Sequence, residues 1–440
     1  TDSHMILPVC YVKGGRAVLQ DESKCELAEG DALEVVRSLC LFGEVLVVDL
    51  DAEAASTQGA ASPNSALIKE MMRIGEIKVG GGMVTSTFGL DWLDAGATKI
   101  VIEGDSCPVD FLEHFPKERI SVSVTAKAGN LDQLEATVSS LVKITDEFVV
   151  VCGTSEDPLP TDVLQAIESM CARNKDKKFL VSAPFATCSQ ILQVDAAGAV
   201  AQVGDCVLTS TISLGDVLVS FAKTDRADQL YTTVVVDQQG IALGLVYSDS
   251  ESLRAAVQRR KGIYHSRRRG LWEKGLTSHA TQDLLGVRLD CDRDAIKFIV
   301  FQHGAGFCHL DRRTCWEADA GIGHLMRTLA HRVEHPVEKS YTNRLLNDPA
   351  LLHNKLLEEA QELIEAKTPD QVAAECADVV YFASVILARS GVAWGDVERY
   401  LDRRSLRVRR RPGNAHLDRT PTVVTKKQKL EGGPASGSKD

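Results

Sequence analysis

Glu44-Val45-Leu46-Val47-Val48-Asp49-Leu50-Asp51 is a short apolar run, rich in valine, of the kind that forms a strand. Seven more Val- and Ile-rich runs stand with it, at 6–12, 76–80, 99–103, 119–125, 147–152, 178–182 and 199–204. The intervals have room for crossover helices, and Ala32-Leu33-Val35-Val36-Leu39 has helical apolar spacing. Eight such units in about 200 residues predict a (β/α)8 TIM-like barrel, placed at residues 5–222.

The whole chain of 440 residues has length for about three domains. Its 44% hydrophobic and 25% charged content is that of a soluble globular protein, and a net charge of −11 gives no support to a nucleic-acid partner. Twelve cysteines without a short regular framework read as reduced thiols, hence a cytoplasmic chain. No run of about 18 apolar residues stands out, so no membrane span is expected. Thr1-Asp2-Ser3-His4 is read as a tag remnant ahead of Met5, not a signal peptide, and the polar tail 413–440 is expected to be disordered.

Asp290-Cys291-Asp292-Arg293-Asp294 precedes Ile296, Phe298 and Val300. Aspartates at i, i+2 and i+4 would share one face of a strand and suit Mg²⁺. Cys291, Cys308 and Cys315, spaced by 17 and 7, suit zinc with a fourth position left for water. A buried cysteine and a solvated acidic turn is the plainer alternative. Beyond about residue 335 the pattern turns helical. Glu359 and Glu362 are i, i+3 neighbours, Glu358 and Glu362 are i, i+4 neighbours, and Glu375 and Asp378 form a second pair. Two packed helices would crowd these carboxylates around Mg²⁺; two solvated helix faces are the alternative.

Gly262-Ile263-Tyr264-His265-Ser266-Arg267, Leu271-Trp272-Glu273-Lys274-Gly275-Leu276-Thr277-Ser278, the aspartate triplet, Gly306-Phe307-Cys308-His309 and Thr314-Cys315 together resemble phosphoribosyl-AMP cyclohydrolase of histidine biosynthesis. The resemblance implies a mixed, β-rich α+β domain at 223–333, Zn²⁺ on Cys291, Cys308 and Cys315, and Mg²⁺ on Asp290, Asp292 and Asp294. Its place beside a zinc ligand makes His309 a candidate proton shuttle, a merely adjacent histidine being the alternative; Lys274 is a further catalytic candidate, and Arg267, Lys274, Thr277 and Ser278 are candidate substrate contacts. The family's Gly-Glu-Thr-Ser-Gly reads Gly275-Leu276-Thr277-Ser278-His279 here, which puts the loop's contacts in question. That family is dimeric with its site near the subunit interface, which implies a homodimer.

The barrel segments Glu44–Asp51, Lys78-Val79-Gly80-Gly81-Gly82 and Leu93–Ile102 resemble the phosphoribosyl-formimino isomerase barrel of the same pathway. That family works with two aspartates, where this chain has Tyr11 and Thr125, and its second phosphate loop reads Ser182-Ala183-Pro184. Neither hydroxyl replaces a carboxylate that titrates near 4, so the barrel is expected to be a catalytically silent scaffold. A residual phosphate site at Gly80, Gly81 and Gly82 is the exception considered.

Ser340–Asp348, Glu358-Glu359-Ala360-Gln361-Glu362, Glu375-Cys376-Ala377-Asp378 and Arg409-Arg410-Arg411 resemble phosphoribosyl-ATP pyrophosphohydrolase, an all-α, MazG-like enzyme, here at 334–412. The resemblance implies Mg²⁺ on Glu358, Glu359, Glu362, Glu375 and Asp378 and phosphate contacts at Arg344 and Lys355; one of the glutamates would take the proton of the attacking water, with Glu359 the first choice. The domain order resembles the front of the fungal-type multifunctional histidine-biosynthesis protein. The histidinol dehydrogenase that usually follows is missing, so the chain is bifunctional by nature or truncated. The expected activity is hydrolysis of phosphoribosyl-ATP, then opening of the adenine ring of phosphoribosyl-AMP. A broad nucleotide pyrophosphohydrolase with a structural zinc module, and a non-catalytic scaffold, are the alternatives.

Overall fold

The computed structural model describes residues 5–20, 31–57, 61–83, 85–105, 107–126, 130–154, 157–316 and 319–406. The expected remnant at 1–4, Arg409–Arg411 and the expected disordered tail lie outside them.

Eight parallel strands pair in chain order: Ile6–Lys13, Val45–Asp49, Ile77–Gly80, Ile100–Glu103, Ile120–Thr125, Glu147–Val151, Lys178–Ser182 and Val200–Val203. The last returns to the first, with Ile6 opposite Ala201 and Pro8 opposite Val203, so the sheet closes into a TIM-like barrel. Alternation explains the apolar runs. Leu7, Val9, Leu46, Val149 and Leu180 fill the barrel, while Ile6, Val45 and Val47 meet the outer helices. A short strand outside the eight expected runs, Arg16–Val18, folds back antiparallel on the first strand through Gly14 and Gly15, both at positive φ.

The strand starts carry charge. Buried Lys78 places Nζ 2.5 Å from Glu147 and 3.0 Å from Glu44, and Lys99 meets Glu147 at 2.9 Å. Burial opposes ionisation of Glu147, but Lys78, Lys99 and Lys178 outweigh it and hold its carboxyl at about 2.

A six-stranded sheet follows, in the order Gly270–Glu273, Ile263–Ser266, Ala242–Ser248, Tyr231–Val236, Ala295–Gln302, Gln282–Leu289. Tyr231–Val236 runs parallel to Ala295–Gln302, and the other pairs are antiparallel. Helix Ser250–Arg259, capped by the Asp249 carboxylate on Ser252 N, buries Leu253 and Ala256 in the same core as Leu243 and Tyr264. Arg288 donates to Leu41 O at 2.9 Å and Arg260 pairs with Glu34 at 2.8 Å, which seats the sheet on the barrel.

Five helices complete the described chain: Gly321–Glu334, Tyr341–Asn347, Pro349–Glu365, Pro369–Arg389 and Trp394–Ser405. Asp348 caps Leu351 N, and Thr368 with Gln371 forms a capping box; in both helices proline follows the cap, where its missing N–H costs nothing. Leu329, Leu345, Leu352, Phe382 and Val385 form their core. Leu329 belongs to Gly321–Glu334, so the bundle draws in residues ahead of the expected start at 334. Pro369–Arg389 is long and apolar enough to cross a membrane by length and composition, which the sequence reading did not anticipate. It is packed here on Pro349–Glu365, with Glu375 and Asp378 brought to Glu359.

Candidate active sites

The aspartate triplet does not begin a strand. Asp290–Asp294 is the turn joining Gln282–Leu289 to Ala295–Gln302. Asp290 closes it, donating its N–H to Ala295 O and accepting from Ala295 N, each at 3.1 Å. Arg293 takes a left-handed φ of 73°. The chain reversal, rather than a strand's period of two, brings the three carboxylates within 4.8 Å of one another. Asp292 first, then slight desolvation and Asp290, raise the exposed Asp294 carboxyl above its ordinary range. Three hard oxygens held against their own repulsion fit a divalent cation.

Cys308 and Cys315 lie together on the loop that follows Ala295–Gln302. Their thiols are within hydrogen-bonding reach, and burial followed by the Cys308 neighbour raises Cys315. Gly306 lets the loop fold tightly, since at φ 135° a Cβ would lie 2.3 Å from Arg312 O. His309 Nδ1 is 4.0 Å from Cys308 Sγ. Lys274 is buried beside both thiols and Asp311, 5.5 Å from the Phe307 ring centre; burial lowers its ammonium. Two supports gave no signal in the sequence. Buried Asp237 accepts from Arg313 at 3.1 Å, and Gln302 O accepts from the same guanidinium, which pins the loop between the cysteines.

One chain does not unite the three cysteines. Cys315 N donates to Leu243 O at 2.8 Å, and the strand register sets the adjoining Ala242 level with Ile299. The aspartate turn begins before Ala295, four residues back and two strands across. At about 3.3 Å per residue and 4.8 Å per strand, exposed Cys291 is roughly 15 Å or more from Cys315. Thiols sharing one zinc, each about 2.3 Å from it, must lie within about 5 Å of each other.

Thr277 and Ser278 are exposed on the turn after Lys274. Gly275 is required there, because its φ is 90° and a Cβ would meet the Ala280 carbonyl carbon at 2.3 Å. Arg267 lies 5.4 Å over the Tyr247 ring, at the edge of a cavity of about 510 Å³ that Asp249 and His265 also line. His265 Nδ1 is 2.6 Å from Asp249 Oδ2, a pair the sequence reading had not singled out.

In the helical domain Glu359, Glu375 and Asp378 bring carboxylate oxygens within 4.8 Å of one another. Glu359 is buried. Slight desolvation and then Glu362, Glu359 and Asp378 raise the Glu375 carboxyl. Glu362 therefore borders the trio. Glu358 instead meets Lys355 at 3.0 Å, and Lys355 also pairs with Glu359 at 2.8 Å. Arg344 is exposed on Tyr341–Asn347.

The barrel mouth has the substitutions expected of it. Tyr11 is buried, donates to Gln20 Oε1 at 2.9 Å, and burial raises its hydroxyl well above the ordinary range. Thr125 is exposed and its N–H donates to Asp105 at 2.8 Å. Gly81 and Gly82 serve packing: at φ 95° and 62°, added Cβ atoms would lie 2.2 Å from Asp49 O and 2.6 Å from the Ala52 carbonyl carbon.

Three family models match the chain in the order of its domains. They are the histidine biosynthesis protein family at 5–175, phosphoribosyl-AMP cyclohydrolase at 244–317 and phosphoribosyl-ATP pyrophosphohydrolase at 322–405. A histidine biosynthesis bifunctional protein of Schizosaccharomyces pombe is 44% identical over 227 residues, covering 52% of this chain and 53% of the relative. A trifunctional one from Neurospora crassa is 38% identical over 330 residues, 73% of this chain and 36% of the relative. A bifunctional one from Prochlorococcus marinus is 35% identical over 187 residues, 38% of this chain and 85% of the relative. The chain thus spans about half or less of the length of these fungal relatives.

Proposed function

The chain belongs to the family of histidine biosynthesis bifunctional proteins, and from that premise we propose that it carries out two successive hydrolyses. The helical domain cleaves phosphoribosyl-ATP to phosphoribosyl-AMP and pyrophosphate, and the sheet domain then opens the adenine ring of phosphoribosyl-AMP. One observation carries this: two clusters of opposite hardness, a thiol pair and a carboxylate trio, sit on successive domains.

In the helical domain Glu359, Glu375 and Asp378, with Glu362 at their edge, would hold Mg²⁺, which when bound neutralises charge on the phosphates. Glu359 is the candidate base for the attacking water. Lys355, oriented by Glu358 and Glu359, presents its ammonium to a phosphate. In the sheet domain Asp290, Asp292 and Asp294 would hold a second Mg²⁺. Cys308 and Cys315 fit Zn²⁺ when Cys291 comes from a second copy; bound zinc supplies a water acidic enough to deprotonate near neutral pH. Lys274 stabilises the thiolates beside it, His309 moves the proton, and Arg267 binds phosphate. The active species is therefore a homodimer. Apolar side chains left uncovered on the bundle, Ile364 at 76% exposure and Val372 at 43%, suit such a partner. The described cysteines are unpaired, which suits a reducing cytoplasm.

The test is incubation with phosphoribosyl-ATP, Mg²⁺ and Zn²⁺, following pyrophosphate release and ring opening together. Removing zinc alone should stop only ring opening, and so should Cys308→Ser. Ordinary nucleoside triphosphates cleaved as fast as phosphoribosyl-ATP would favour the broad pyrophosphohydrolase instead.

A further inference from the structure

Arg293 sits between two of the three aspartates, and its guanidinium is held from the barrel. Its guanidinium makes two parallel bonds to Asp195, at 2.6 and 2.7 Å, on the barrel helix Cys188–Ala196. The same group lies 4.9 Å over the ring of Phe221, the last residue of helix Leu214–Phe221. The Arg293 carbonyl accepts from Lys223 N at 2.8 Å. A fork-to-fork Arg–carboxylate pair fixes orientation as well as distance. Orientation matters here because Arg293 is at φ 73°, a conformation a long side chain avoids unless its surroundings impose it. The clamp therefore fixes the residue that stands between Asp292 and Asp294.

We propose that the barrel, which has lost its own acids, is a positioning element for the cation site of the neighbouring domain. Asp195 holds Arg293, and Arg293 holds Asp290, Asp292 and Asp294 convergent. Asp195 touches neither substrate nor metal, so it is a positioning residue. This rests on the assignment of a divalent cation to the aspartate turn.

The probe is Mn²⁺, titrated by calorimetry into the full chain carrying Glu359→Gln and Asp378→Asn, which removes the helical site from the isotherm. Adding Asp195→Ala should weaken Mn²⁺ binding about tenfold, the loss usual for an outer-shell partner, and Asp195→Glu should recover most of it. Arg293→Ala removes the same clamp from the other side and stands in if Asp195→Ala does not fold. The two losses should not add, since both break one pair. In the chain with its helical acids intact, Asp195→Ala should leave pyrophosphate release unchanged. A folded Asp195→Ala or Arg293→Ala protein that binds Mn²⁺ as the parent does overturns the proposal. If Asp292→Asn also leaves the isotherm unchanged, it is the cation assignment that fails, not the clamp.

Discussion

Mixing two dead variants should restore ring opening. Cys291→Ser and Cys308→Ser each remove one thiol, and each protein alone should lack both zinc and cyclohydrolase activity. The strand register places Cys291 roughly 15 Å or more from Cys315 within a chain, so the proposed zinc site would draw Cys291 from one copy and Cys308 with Cys315 from the other. In a two-fold dimer of the mixed variants, one interface pairs intact Cys291 with intact Cys308 and Cys315, and the other carries both defects. Random exchange makes about half the molecules heterodimers with one good site in two, so activity should reach about 25% of wild type. Bound zinc should recover to the same fraction. The assay is ring opening of supplied phosphoribosyl-AMP after subunit exchange, with pyrophosphate release as the internal reference. Cys308→Ser mixed with Cys315→Ser must stay inactive, because those defects fall on the same half-site. No recovery in the first mixture, or recovery in the second, would refute the cross-chain site.

Four further outcomes are expected. Glu359→Gln should cut pyrophosphate release by about 10²–10⁴-fold while supplied phosphoribosyl-AMP is still opened at the parental rate; parallel assays on one preparation decide it. Lys78→Met removes the ammonium that Glu44 and Glu147 share, leaving Glu147 to Lys99 and Lys178, and should cost the barrel about 3 kcal/mol in denaturant unfolding. The same cluster sets an acid limit: Glu147 is held at about 2 against an ordinary 4.5, so its stabilisation is present above pH 4.5 and fades as pH falls toward 2. Glu147→Gln should flatten that part of the stability profile, and a profile unchanged by it would count against the assignment. Gly81→Ala should cost about 1–3 kcal/mol in unfolding, with ring opening per folded molecule unchanged; a changed catalytic rate at normal stability would point back to a phosphate loop.

The barrel strands were legible to within a residue or two because each is a complete apolar run set off by helical spacing. The helix pair bearing Glu359, Glu375 and Asp378 was legible from helical spacing, but that spacing fits solvated faces equally well, and only the packing of Pro349–Glu365 on Pro369–Arg389 brings the acids together. The aspartate turn was misread as a strand, since alternate spacing suits either, and only the antiparallel pairing of Leu289 with Ile296 forces the reversal between them. The bundle's first helix lay ahead of its expected boundary because Leu329 gains its partners, Leu345 and Phe382, only in three dimensions.

The sequence by itself determined which elements form and which chemistry each ligand set offers, because backbone preference and donor softness belong to single residues and their near neighbours. Tertiary structure alone decided which ligands meet. Position in the chain carries no distance, so sheet register separated Cys291 from its fellow thiols, and an ion pair between residues 195 and 293 tied the barrel to the aspartate turn.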